Sequence, residues 1–577
     1  MSDAAAGLLD NAAFYPAPTA SAAPRFHGSL RIKQTPMHFE PALLASDIGG
    51  RNAQLFPESR LDFFTLDDLL IPVQWGQMVG EDPAAHSSSY WSLIPQFGRV
   101  WRDTADASGW SRAACPLMLV NDLENHAHQG LASFRYKDAA VSDFRFQFVQ
   151  QTAPYLLKQH FLAWGSAPVE YAGLPTMDLQ AAREAARREL AARIPSRPWT
   201  DLTSQVGSDT LAGFGGPLNP KWVVATALLR AGVLYYADSM TPCGAYPYPL
   251  EMRFGVRSVM KSIAAPLSLL RLAQVYGPDV LTLKIGEYVA GLDEKFNRVR
   301  FIDAANMATG FGGTGTLRTQ LNEFEDGYLE ADYDGWYTAG SHAEKMAHMA
   351  KRLRPYPWEP GTVLRYRDHD FYVLGVAVDA YLKSVRGPEA DVWDMLCEEV
   401  FAPIGISAAP ATRTREPGGQ RGFIWFNAGY FPTLHDIAKI ALLYQNRGEW
   451  GGRQILHRDL TTELLGARGA LSKSGDAPIS PAEVADSSPE PIASGKPTHY
   501  RMGFHFTPYY DRESGRVDYL PTMWGSGESE VILYPNGLVS IRIGKAAGLM
   551  DEGTVRNASA PTTAEVVNKL GAFSRLR

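Results

Sequence analysis

Ser258 and Lys261 stand three residues apart in FGVRSVMKSIAAPLSLLRLAQVYGP, residues 254–278. On a helix that spacing puts two side chains on one face with Cβ atoms roughly 5–6 Å apart, so the Lys amine can reach the Ser hydroxyl. After Arg257 the stretch is apolar nearly all the way round, the pattern of a helix buried on most sides. Burial disfavours a charged amine, and a desolvated Lys is expected to fall toward neutrality and serve as a base. The helix N-terminus adds backbone N–H groups and a positive dipole end where an oxyanion would form. Together these are the parts of a serine nucleophile. The bland alternative is a Ser N-cap followed by an ordinary first-turn Lys. Of fifteen Lys, only Lys261 has Ser three residues before it; the spacing alone is weak, and its place at the mouth of a buried helix carries more. Pro266 is expected to bend the helix.

Other groupings are weaker. His126 and His128, with Asp122 or Glu124, could form a metal set, but a turn between strands accounts for them and no metal is expected. GFGGTG, residues 310–315, matches the dinucleotide fingerprint literally, yet it does not follow a strand and open a helix, so a loop is preferred. Asp326, Glu330, Asp332 and Asp334 alternate without a full calcium-loop pattern and read as a solvated acidic loop. Cys115, Cys243 and Cys397 are too few and too scattered for a disulfide framework or a metal cluster.

The 577 residues exceed one typical domain, and two are expected. A net charge of −7 argues against a nucleic-acid partner. No window has the length and apolarity of a membrane span. No Lys or Arg precedes Arg25 and no sustained apolar run follows, so no secretory signal is read and a cytoplasmic location is expected.

Positioning elements follow from periodicity. Residues 1–30, rich in Ala and Pro, are expected to be a poorly ordered surface arm. Residues 31–176 form a β-rich domain: in VSDFRFQFVQQ, Phe144, Phe146 and Phe148 alternate with Arg145 and Gln147, and LASFRYKD and YLLKQHFLAW read as further strands. MDLQAAREAARRELAARIP opens the second unit, 177–577, as a charged amphipathic helix. KWVVATALLRAGVLYYAD is a hairpin directly before the Ser258 helix; Phe371–Ser384 and Leu434–Tyr444 are helical, and residues 472–497 read as an exposed loop or lid. Strands return in YRMGFHFTPYY and in SEVILYPNGLVSIRIGKA, where Pro-Asn-Gly makes a turn, before a closing helix.

The order of hairpin, SVMK, FIDAANMATGFGG, WEPGTVLRYRDHDFYVLG, FAPIGI, GYFPTLHDIAKIALL and WGSGESEVILYPNG resembles the serine β-lactamase and penicillin-binding-protein superfamily. It is most similar to the class C-like serine hydrolases, which include carboxylesterases and 6-aminohexanoate-dimer hydrolases. The resemblance covers about 215–577. It implies an α/β (α+β) fold in which an antiparallel sheet is flanked by helices beside an all-helical subdomain, here preceded by the β-rich domain. Ser258 matches the nucleophile, Lys261 its base or proton carrier, and Tyr366 the Tyr of the Y-x-N element, with Asp368 where Asn is usual. A carboxylate there could hold Lys261 or Tyr366 and would repel an anionic substrate. Trp524-Gly525-Ser526 stands where K-T-G or H-x-G is usual, and the N–H of Gly527 would join that of Ser258 in an oxyanion hole. The implied activity is hydrolysis of a small neutral ester or amide through a Ser258 acyl-enzyme, without cofactor. β-Lactamase or D-amino-acid peptidase activity, or a non-catalytic binding role, are the alternatives, and a homo-oligomer is left open. The β-rich domain is expected to pack over the site entrance.

Overall fold

The computed structural model describes residues 7–573 apart from 49, 81–88, 107–108, 174–178, 217–218, 313–332, 357, 473–497, 512–514 and 547–558. Asp326, Glu330, Asp332, the end of GFGGTG and nearly all of the expected lid lie outside the described residues. The chain is a mixed α/β protein with two large sheets and helices packed on them.

The first sheet has twelve described strands. Its central order is Ser59–Leu66, Leu69–Pro72, Gly98–Trp101, Ser111–Val120, His128–Lys137, Phe144–Gln151 and Leu162–Ala167, with antiparallel pairing. Phe144, Phe146 and Phe148 bury on one face against Phe56. The opposite face is covered as well, because Gln147 exchanges hydrogen bonds with Leu9 and Asn11. The described part of the arm, from residue 7, is therefore not loose: Asn11–Phe14 forms a short 3-10 turn, Phe14 is buried, and Tyr248 of the second unit donates to the Phe14 carbonyl. The YLLKQHFLAW strand begins only at Leu162. Earlier in that stretch, the N–H groups of Tyr155 and Leu156 turn instead to the buried carboxylate of Glu124.

Helix Leu179–Ala191, expected to open the second unit, buries Ala186 against Phe64, Leu66, Ile71 and Phe97 of the first sheet. Its buried face thus packs on the first unit, while Glu189 accepts from the Ser407 hydroxyl of the second.

The second sheet has nine described strands, running from Ser196–Pro198 at one edge through Val233–Tyr236, Val223–Arg230, Val539–Gly544, Ser529–Leu533, Arg516–Gly525 and Phe504–Asp511. Strands from both ends of the unit thus pair at its centre, and only Ser196–Pro198 pairs in parallel. Helix Lys261–Tyr276 lies in the core against this sheet and helix Asp368–Arg386. Ile263, Leu267, Leu269, Leu270 and Leu272 are fully buried, each contributing about 1.5–3 kcal/mol relative to an exposed position. Pro266 does not interrupt the helix. Its missing N–H leaves the Ser262 carbonyl without its helical donor, and the Tyr444 hydroxyl supplies one at 2.8 Å.

Candidate active site

Every residue from Glu251 to Leu270 is buried except Ser258. In this stretch only Ser258, the serine that the sequence marks, is half-buried rather than buried. Ser258 sits not in the α-helix but in the 3-10 turn Arg257–Met260 that leads into it. Arg257 has φ of 51°, the left-handed region that L residues rarely occupy and that costs of order 1–3 kcal/mol when imposed. On the other side of the turn runs strand Arg516–Gly525. A Cβ on Gly525 would lie 2.4 Å from the Val256 carbonyl and 3.3 Å from Val259 N, so only glycine lets the strand come this close. Gly525 thus faces the turn's backbone.

Lys261 Nζ donates to Ser258 Oγ at 2.7 Å and to the Asn427 carbonyl at 3.0 Å, and pairs with Asp368 Oδ1 at 2.6 Å. An ammonium has three protons and no lone pair, and here three acceptors meet it. The expectation that desolvation would bring Lys261 down toward neutrality is overturned. Burial does pull its pKa down, but Asp368 and Tyr366 outweigh it and the amine ends above its ordinary value. Asp368 opens helix Asp368–Arg386, where the positive helix end favours a carboxylate, and its second oxygen accepts from the Tyr333 hydroxyl.

Tyr366 is buried with Lys261 Nζ 5.1 Å from its ring centroid. Burial raises its pKa; Lys261 and the contact with Ser258 oppose the rise without cancelling it. The phenol is therefore protonated at neutral pH, which does not fit a resting phenolate. Its ring packs against His505, which in turn meets the half-buried Trp524 edge-on at 5.5 Å. The Ser258, Lys261, Tyr366, Asp368 and Trp524 positions are thus gathered into one neighbourhood. Ser526 is exposed at the end of the strand, and Gly527 follows in a turn with φ of 91°.

Sequence reasoning missed several partners. Asn427 offers its carbonyl to Lys261, and Tyr333 binds Asp368. Lys345 is boxed by Trp425, Trp336 and Tyr372 at 4.1, 4.8 and 5.8 Å, and burial brings it down to about 7 against the pull of Asp368 and Glu344. None has a spacing signature, because each reaches the site from a separate element.

His126 and His128 lie in the first unit, ring nitrogen to ring nitrogen at 2.9 Å, and His126 Nδ1 is 3.0 Å from Glu124. Among the described residues no group of three or more His, Cys, Asp or Glu is placed to hold a metal ion. No described helix is long and apolar enough to cross a membrane.

No family model matches the chain, and no curated protein does. Among solved structures, it is similar to a protein described as a 6-aminohexanoate-dimer hydrolase from Bacillus anthracis, at 16% identity and a TM-score of 0.44, covering 66% of this chain and 88% of that one. A penicillin-binding protein homologue from Pyrococcus abyssi aligns at 14% identity and a TM-score of 0.38, over 64% and 76% of the two chains. A D-stereospecific amidohydrolase from Streptomyces aligns at 13% and 0.35, over 60% and 93%. A class C β-lactamase aligns at 11% identity and a TM-score of 0.34, over 67% of this chain and 97% of that one.

Proposed function

We propose that the chain is a serine hydrolase that cleaves an ester or amide bond of a small neutral substrate through an acyl-enzyme on Ser258. The observation that carries this reading is the pairing of the half-buried Ser258 with a buried, threefold-bound Lys261.

The pKa directions shape the mechanism. Lys261 is charged and Tyr366 neutral at rest, so neither is a free base. As Ser258 Oγ bonds to the acyl carbon, its proton passes to Lys261 while one ammonium proton passes on to Asp368, which becomes a neutral acid. Tyr366 then protonates the departing alkoxide or amine, and the Asp368 proton returns through Lys261 to restore the phenol. Water repeats the sequence in reverse roles and releases the acid. Lys261 is a relay and Asp368 the acceptor. The Ser258 and Gly527 N–H groups are assigned to the oxyanion.

The substrate class follows from charge. Asp368 is neutralised by Lys261 and does not repel anions as the sequence suggested, but the same pairing leaves Lys261 with no charge to offer an anion. Arg257 is offset by Glu124 at 3.7 Å. Trp524, where a cation-bearing residue is usual in the resembling family, presents an apolar wall. A neutral acyl group suits these surroundings. The first sheet's Tyr155, whose hydroxyl donates to Asp334, is assigned to the entrance beside Tyr337. Turnover of p-nitrophenyl acetate by the wild type and its loss in Ser258→Ala test the reading; equal rates in both would refute it.

A further inference from the structure

The nucleophile turn is held from the other sheet. Arg257 directs its N–H to Asn125 Oδ1 at 2.7 Å, and Asn125 Nδ2 donates to the Tyr430 carbonyl at 3.1 Å. Two residues earlier the chain passes so close that a Cβ on Gly255 would lie 2.4 Å from the Asn125 carbonyl oxygen. The Arg257 side chain enters the same region, donating to the Ala153 carbonyl at 2.7 Å. Neighbouring Glu124 is fixed by the Tyr90 hydroxyl at 2.8 Å, the Leu156 N–H at 2.8 Å and His126 at 3.0 Å. Burial would raise the Glu124 pKa, but His126 and Arg257 outweigh it and keep the carboxylate charged. Across the site, a Cβ on Gly527 would meet Ala153 Cβ at 2.4 Å. Both segments assigned to the oxyanion hole therefore rest on loops of the first sheet, 121–127 and 152–157.

A left-handed non-glycine residue persists only where its surroundings over-determine it. The Arg257 N–H faces a side chain about 130 positions earlier in the sequence, with |i−j| of 132, rather than a carbonyl of its own turn. We propose that Asn125 is a positioning residue for Ser258: by accepting the Arg257 N–H it holds the left-handed turn that aims the Ser258 hydroxyl and N–H. The first sheet is thereby part of the catalytic apparatus rather than an attached module. This rests on the serine-hydrolase reading.

The test compares Asn125→Leu, which removes the acceptor at similar size, with Asn125→Gln, which keeps both the acceptor and the amide donor that meets the Tyr430 carbonyl. For p-nitrophenyl acetate, Asn125→Leu is expected to lower kcat at least ~10-fold with KM within ~2-fold, and Asn125→Gln to recover part of the loss. Hydrogen exchange gives a readout independent of turnover: in Asn125→Leu, amides of residues 254–261 should exchange ~10-fold faster while helix Leu434–Gln445 stays unchanged. Faster local exchange in a protein whose wild type turns over no ester would sink the hydrolase reading and keep the positioning role. Exchange at 254–261 and kcat both within ~2-fold of wild type would overturn the proposal. So would an equal rise in exchange at Leu434–Gln445, which would mark general destabilisation.

Discussion

Lys261 Nζ lies 2.6 Å from Asp368 Oδ1 with side chains 1% and 5% exposed. A bare Lys at this depth would drop its proton. Beside a carboxylate it keeps it, and the proposed proton path is built on that pairing.

Asp368→Asn removes the larger of the two partners that raise Lys261 and leaves only Tyr366 against the desolvation that pulls its pKa down. The variant should then use neutral Lys261 as its base, so kcat/KM should climb with pH through the lowered Lys value. Wild type needs no such deprotonation and should hold a plateau from neutral pH to about 9, below the ordinary Lys range. Superimposable pH–rate profiles for the two proteins would contradict the relay.

The pair also enters folding stability. Lys261→Met leaves Asp368 buried without its cation and should cost about 3–5 kcal/mol, most of it recovered in Lys261→Met/Asp368→Asn. Because the folded-state pKa of Lys261 is raised, its contribution is fully present below the unfolded value of roughly 10.4 and is lost as pH rises through the folded one. Denaturant unfolding at pH 7 and above pH 10.5 should therefore show the gap between wild type and Lys261→Met narrowing at the higher pH; a gap that widened would reverse the sign argued here.

Gly525→Ala places a methyl 2.4 Å from the Val256 carbonyl, a backbone atom that cannot turn aside. A loss of about 1–3 kcal/mol is expected from overpacking, together with lower kcat because the nucleophile turn must shift. Calorimetry and ester kinetics on one preparation would check both, and a variant unchanged in each would show that the strand is not tightly apposed.

Trp524 provides an apolar wall and no cation. Neutral short-chain aryl esters should be hydrolysed at least ~100-fold more efficiently in kcat/KM than penicillins or cephalosporins, equivalent to roughly 2.7 kcal/mol in transition-state binding. Comparable turnover of benzylpenicillin and p-nitrophenyl acetate would show that the charge reading is wrong.

Local pattern carried much of the fold. The hairpin Val223–Arg230 and Val233–Tyr236, the buried helix at Lys261 and the Pro-Asn-Gly turn between Ser529–Leu533 and Val539–Gly544 were all legible, because hydrophobic period and turn chemistry are written in adjacent residues. The resemblance offered Lys261 or Tyr366 as the partner of Asp368, but the charge state of Lys261 was not legible, since burial and a carboxylate pull it in opposite directions and only the 2.6 Å contact decides between them. Nor was the ordering of the arm, where Asn11 and Phe14 are fixed by groups of both units. Asn125 had no motif at all; its meaning lies in the Arg257 N–H that it meets.

The most direct measurement is the location of the covalent adduct after treatment with a serine-reactive fluorophosphonate. Digestion and mass spectrometry should place one phosphonyl group on the peptide containing Ser258, with none in Ser258→Ala. Labelling on another Ser, or full labelling of the Ala variant, would contradict the account.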